Sequence, residues 1–322
     1  VSTRARRGPL AAATATPARA LTLVGAGGVA IAVQAYVNGR LSGQLGSYEV
    51  AAAVNNLVGL VALVVYGVAA GSTRRALAHA RSGPRPPLWL FAGGALGSLL
   101  VIVSAAAAPK VGVALLTVAL VCGQTGGGLP VDASGISPAG RQPITAPRLL
   151  GVGLAIAAVV ITALGSGGHP HAGLLALAVL AGVAGAIQPA TNGRLAERFG
   201  GEPAAAALVN FAVGFTALAL FALAVVGGRT IHWGASEAPD WIGGILGAYF
   251  VLVSAAAVST VGVLRLLLVA VAGQSAGALA IDLVAPVPGE TVGVTTVVGL
   301  VLTIVAVFVS GRAREQAAEA DA

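Results

Sequence analysis

Apolar runs of about twenty residues, each closed by Gly, Pro or a cluster of charge, follow one another along this 322-residue chain. Ten can be marked: 21–39, 48–70, 88–108, 111–130, 147–165, 173–193, 203–226, 241–259, 261–281 and 291–310. A helix needs about 20 mainly apolar residues to cross about 30 Å of hydrocarbon. The runs are too long for strands of a membrane barrel and lack the alternation of inward and outward residues that a barrel imposes. The pattern predicts an all-α integral membrane protein with ten transmembrane helices.

The runs also repeat. VGVALLTVALVCGQTGGGLPVD at 111–132 returns as VGVLRLLLVAVAGQSAGALAID at 261–282, with ten of 22 positions identical. QAYVNGRL at 34–41 returns as QPATNGRL at 188–195, and AAAVNNLVG at 51–59 as AALVNFAVG at 206–214. LGSLLVIVSAAAAPKVG at 96–112 matches LGAYFVLVSAAAVSTVG at 246–262. Residues 20–166 and 172–312 therefore read as two copies of one five-span unit, with 1–19 as a cytoplasmic leader and 313–322 as a cytoplasmic tail. Five is odd, so the second copy enters the membrane upside down. An inverted repeat of this kind underlies many secondary transporters.

Polar side chains inside hydrocarbon cost free energy unless they find partners or line water. Here they come in matched pairs: Gln34 and Gln188, Asn38 and Asn192, Asn55 and Asn210, Gln124 and Gln274. Each is neutral and carries both a donor and an acceptor. The eight either converge on a cavity for a polar solute or bond helix to helix. Asn38 and Asn192, beside a Gly at the end of a run, also suit a helix cap. Glycines four apart occur in matched places as well: Gly93 and Gly97 with Gly243 and Gly247, and Gly123 and Gly127 with Gly273 and Gly277. Such spacing puts small residues on one helix face, where two backbones can touch; the fourth and ninth runs would form the seam between the halves.

No Asp or Glu lies at the centre of a run. Asp132 and Asp282 close the fourth and ninth, eight residues after the repeated Gln and so about 12 Å further along a helix. Inverted topology sends them to opposite membrane faces, as gate or coupling residues or as solvated caps. Arg265 breaks the symmetry, since Leu115 holds the matching place. It is expected to snorkel to the near face or to bind an anion. Glu49 and Glu202 open the second and seventh runs, where a carboxylate suits a helix N-terminus.

Composition and charge agree. Apolar residues make up 57% of the chain and charged residues 9%, against roughly a quarter charged in a soluble domain. The net charge of +7 sits in loops and reports orientation, not nucleic-acid binding. With the N-terminus inside, fourteen Lys and Arg fall on the cytoplasmic side and only Arg40, Lys110 and Arg229 outside. Both ends are then cytoplasmic. The first run could be a signal peptide, but residues 24–41 recur later in the chain and so belong to the fold. The lone Cys122 rules out a disulfide framework, and GQTGGG lacks the Lys and Ser/Thr of a phosphate-cradling loop. No cofactor, metal site or catalytic set is expected.

Three motifs carry a resemblance: Gln34-x3-Asn38-Gly39-x-Leu41 in the first run, Gly93-Gly94-x2-Gly97 in the third, and Gly123-Gln124-x7-Asp132 in the fourth. With their second-half copies they resemble the YdcZ-type family of the drug/metabolite transporters, here as a fused pair. The resemblance implies a multi-pass exporter of the bacterial inner membrane. Proton-coupled small multidrug relatives carry a glutamate in the first span; Gln34 and Gln188 stand at that depth here, and an amide cannot shuttle protons. The expectation is a secondary transporter moving a small polar or amphipathic metabolite outward by alternating access, with the bilayer, the solute and a second copy of the chain as candidate partners. A lipid or lipid-linked precursor flippase would instead need a cavity open to the bilayer. A non-transporting scaffold would tolerate apolar replacement of the eight amides.

Overall fold

The computed structural model describes residues 14, 16–82, 86–136, 140–141, 143–165, 171–286 and 292–320, with the side chains of 80–82, 165, 258–265, 267–268 and 310–320 excepted. These residues form helices and no strand: α1 Pro17–Leu45, α2 Tyr48–Ala69, α3 Ser72–Ser82, α4 Ala92–Val111, α5 Val113–Ser134, α6 Ala146–Gly165, α7 Ala172–Arg198, α8 Pro203–Val226, α9 Gly243–Val284 and α10 Val294–Ala320. Eight helical stretches are long and apolar enough to cross a membrane, and the stretches Val269–Val284 and Val294–Val309 are shorter apolar helices. Large apolar side chains such as Val65, Val68, Leu164 and Leu223 are left exposed on the outside of the bundle, where lipid rather than water suits them.

Local chemistry sets the turns. Gly46 at φ 71° closes α1, and Ser47 Oγ accepts a bond from Val50 N at 3.2 Å to open α2. Gly112 alone joins α4 to α5, at φ 76°, a backbone conformation that residues with a Cβ rarely adopt. Short 3-10 turns, Leu88–Phe91 and Ala238–Ile242, lead into α4 and α9.

Three boundaries differ from the sequence reading. α1 and α7 continue past Gly39 and Gly193 to Leu45 and Arg198, so Asn38 and Asn192 lie within helices and are not caps. Gly39 does not end α1 but serves packing: a Cβ there would lie 3.0 Å from Pro109. The eighth and ninth runs form one unbroken helical assignment, Gly243–Val284, whose two arms lie on α1 in opposite order. Gly243 and Gly247 face Asn38 and Gln34, whereas Gly273 and Gly277 face Gly25 and Val29. The chain therefore reverses between Gly247 and Gly273. The backbone beyond 312 continues α10 to Ala320.

The packing exchanges elements between the halves. α4 and α5 clasp α7, and the two arms of α9 clasp α1. The fourth-run glycines do lie on a seam between halves, but against the first helix of the opposite half. Added Cβ atoms at Gly123 and Gly273 would overlap the carbonyls of Val179 and Gly25. α6 and α10 pair at the side, where an added Cβ at Gly299 would overlap Thr162 Oγ1.

Candidate solute pathway

The repeated amides of the first and second helices meet within each half. Gln34 Nε2 donates to Asn55 Oδ1 at 3.2 Å, and Gln188 Nε2 donates to Asn210 Oδ1 at 3.1 Å. The third-helix glycines make room for them across the half boundary. A Cβ at Gly97 would overlap Gln188 Nε2, and one at Gly247 would lie 2.6 Å from Gln34 Nε2. Gly93 and Gly243 do the same for Asn192 and Asn38, their added Cβ atoms lying 3.1 and 2.5 Å from the amide oxygens.

Each amide cluster then ends differently, and one residue decides how. Asn210 Nδ2 donates to Asn192 Oδ1 at 2.9 Å, whereas Asn55 Nδ2 turns to Asn56 Oδ1 at 3.3 Å. The repeat places Phe211 opposite Asn56, and a phenyl ring cannot accept such a bond in the same way. Asn38 is left 1% exposed, with neither amide atom bonded. Asn56 was not among the sequence candidates; its adjacency to Asn55 was the available signal.

Asn56 and Phe211 nonetheless occupy corresponding places. A Cβ at Gly214 would lie 2.5 Å from Asn56 Nδ2 and 2.8 Å from Ser98 Oγ, and one at Gly59 would overlap the Phe211 ring. Ser98 adjoins Gly97, on which Gln188 rests. The polar groups thus form a band from Gln34 through Asn55, Asn56 and Ser98 to Gln188, Asn210 and Asn192. Gln124 and Gln274 lie beside it on α5 and α9; Gln124 Nε2 would lie 3.5 Å from a Cβ at Gly185, and Gln274 is 8% exposed.

The carboxylates stand apart from this band, each with a partner. Asp132 binds Arg148 at 2.5 Å, with side chains 12% and 7% exposed, and Arg148 also donates to Pro143 O at 3.0 Å. Asp282 accepts from Val113 N at 2.9 Å and Ala114 N at 2.7 Å, capping α5 where Gly112 leaves no side chain of its own. Glu49 accepts from Ser47 Oγ at 2.6 Å and from Arg229 at 2.9 Å. Glu202 binds Arg75, and this bond raises the pKa of the Arg75 guanidinium above its ordinary value. In both pairs an Arg following the second helix of one half meets the Glu opening the second helix of the other. The side chain of Arg265 lies outside the described residues.

The arginines of the two NGRL motifs diverge as well. Arg40 bonds Asp240 and Glu237, both at 2.9 Å. Arg194 donates to Ile136 O at 3.0 Å and borders a cavity of about 350 Å³ with Trp89, Ser134 and Arg198.

A family model described as "Putative inner membrane exporter, YdcZ" matches residues 20–161 and again 173–309. The chain belongs to that family. No curated protein matches it. Membership in the YdcZ family makes it a transporter-type, multi-pass protein of the inner membrane, and the double match gives the two repeats noted in the sequence. In this YdcZ chain Gly93 and Gly97, with their copies Gly243 and Gly247, form one side of a contact whose other side is the paired amides of the first helices.

The Asp282 cap should be measurable. Asp282→Ala is expected to cost about 1–2 kcal/mol, because two backbone donors at the start of α5 lose their acceptor. Asp282→Asn, which keeps one acceptor oxygen, should cost less. Thermal melting of the purified protein in detergent checks the order; equal melting of wild type and Asp282→Ala would refute the cap.

Proposed function

We propose that this chain is a ten-span secondary transporter, built as a five-plus-five inverted repeat with both ends in the cytoplasm, that exports a small polar or amphipathic metabolite by alternating access. The observation that carries the reading is the band of matched, buried and part-buried amides, Gln34 with Asn55 and Gln188 with Asn210, where the halves interlock. Polar groups at that depth are costly, and a route for a hydrogen-bonding solute accounts for them. Interlocked halves of similar design can exchange roles, so that inward-open and outward-open packings lie close in energy. The excess of arginine in the loops assigned to the cytoplasm supports the orientation.

The test is resistance in an efflux-deficient bacterial host challenged with toxic amino-acid analogues, nucleobase analogues and organic cations. Wild type is compared with Gln34→Leu, Gln188→Leu, Gln124→Leu and Gln274→Leu at matched membrane expression. Wild type is expected to protect against at least one compound. Gln34→Leu and Gln188→Leu, which strip the partner from Asn55 and Asn210, should lose at least ten-fold of that protection. Protection kept by both variants would make the amides packing groups; no protection by wild type across the panel would count against export.

A further inference from the structure

We infer that the solute is electrically neutral and presents a hydrogen-bond donor beside an acceptor, as in a carboxamide or lactam edge, and that Asn38 reads this edge. The inference rests on the exporter reading and specifies its substrate class.

Asn38 is the observation that points to a ligand. It sits in the last third of α1, buried, with both its donor and its acceptor unbonded among the described residues. A buried polar group without a partner costs about 1–3 kcal/mol, and such groups in folded proteins call for an explanation. Local geometry does not force the cost. The matching Asn192 accepts from Asn210, whereas Asn55 donates to Asn56 and not to Asn38. One half of the protein thus closes its amide cluster and the other leaves it open. The first arm of α9 lies over Asn38, with Gly243 beside its oxygen. Withdrawal of that arm exposes a carboxamide whose C=O and N–H₂ point the same way, the arrangement that Asn and Gln use to grip the edge of a nucleobase with two parallel bonds.

Neutrality follows from the charges around it. An ion moved into the band would need a counter-charge there, and among the described residues the band holds amides and one serine. On the elements packed around Asn38, Arg40 of α1 is bound to Asp240 and Glu237 of the turn before α9, and Glu49 of α2 is bound to Arg229. Lys110 at the end of α4 is exposed. Transport of the solute should therefore depend on neither pH nor membrane potential.

The experiment uses the full chain in liposomes loaded with radiolabelled uracil, a neutral lactam, with orotate, the same ring bearing a carboxylate, or with tetraethylammonium. Efflux is followed from pH 6 to 8, with and without a potassium diffusion potential. Uracil is expected to leave at least ten-fold faster than from empty-vector liposomes, at a rate flat in pH and voltage, with neither ion moving. Asn38→Leu should melt at or above wild type, because an unbonded amide has been removed, yet lose at least ten-fold of uracil efflux. Asn38→Asp should make the remaining flux fall as pH rises. Efflux of orotate or tetraethylammonium in place of uracil would overturn the neutral-solute inference while leaving export intact. Full uracil efflux by Asn38→Leu would overturn the part of the inference that has Asn38 read the lactam edge. Movement of none of the three would overturn the lactam-edge inference, and the resistance assay would still decide export independently.

Discussion

Arg148→Leu is expected to destabilise the protein by about 3–5 kcal/mol, the cost of taking one partner from a buried ion pair. Its guanidinium and the Asp132 carboxylate are 7% and 12% exposed and 2.5 Å apart, and the same arginine holds Pro143 O. Removing it strands a carboxylate against apolar helices. The double variant Asp132→Leu/Arg148→Leu should recover most of the loss, since two apolar residues of similar volume commonly replace a buried pair at little cost. A double-mutant cycle on thermal melting reads the coupling directly. Losses that simply add would show that the two residues do not act as a pair.

Gly123→Val should leave no folded protein to assay. Its Cβ would overlap the carbonyl of Val179 and come within 2.9 Å of the Gly182 backbone. Backbone cannot move aside as a side chain can, so the penalty exceeds the roughly 1–3 kcal/mol of ordinary overpacking. Gly128→Val is the control on the same helix: nothing lies within 4 Å of its Cβ, and it should express and melt within about 1 kcal/mol of wild type, allowing for the weaker helix preference of valine. Monodisperse yield after detergent extraction distinguishes the two. If Gly123→Val were recovered at wild-type levels, the close approach of α5 and α7 would be refuted.

These two sites show what the sequence could and could not disclose. The apolar runs, the repeated amides and the spaced glycines are local patterns, and they were legible because lipid and helix geometry impose them residue by residue. The partners were not. Glycine has no side chain that could advertise what rests on it, so nothing in Gly93-x3-Gly97 says that it receives Asn192 and Gln188. Asp282 finds its donors 169 and 168 residues away, and a carboxylate at a run end reads the same whether it caps a distant helix or faces water. Arg148 counted as one more basic residue in a loop, because periodicity cannot tell that it folds back onto Asp132. Asn38 reads as a cap because Gly39 follows it; the close approach of Pro109 gives that glycine a packing role instead.

The exchange of hairpins between the halves has a consequence for how the protein is made. α1 is made before the other described helices, yet its seat is the pair of arms of α9, made after all of them but α10; Arg40 and Asp240, which join them, are 200 residues apart. Until then the amides of α1 and its close-packing glycines wait in the bilayer without their permanent neighbours, where insertion machinery or transient helix contacts must shelter them. Contacts so distant in sequence slow the search for the native arrangement. Neither half can mature ahead of the other, so assembly is one concerted closing step late in translation, and premature termination anywhere before α9 would leave both halves unfinished rather than one complete.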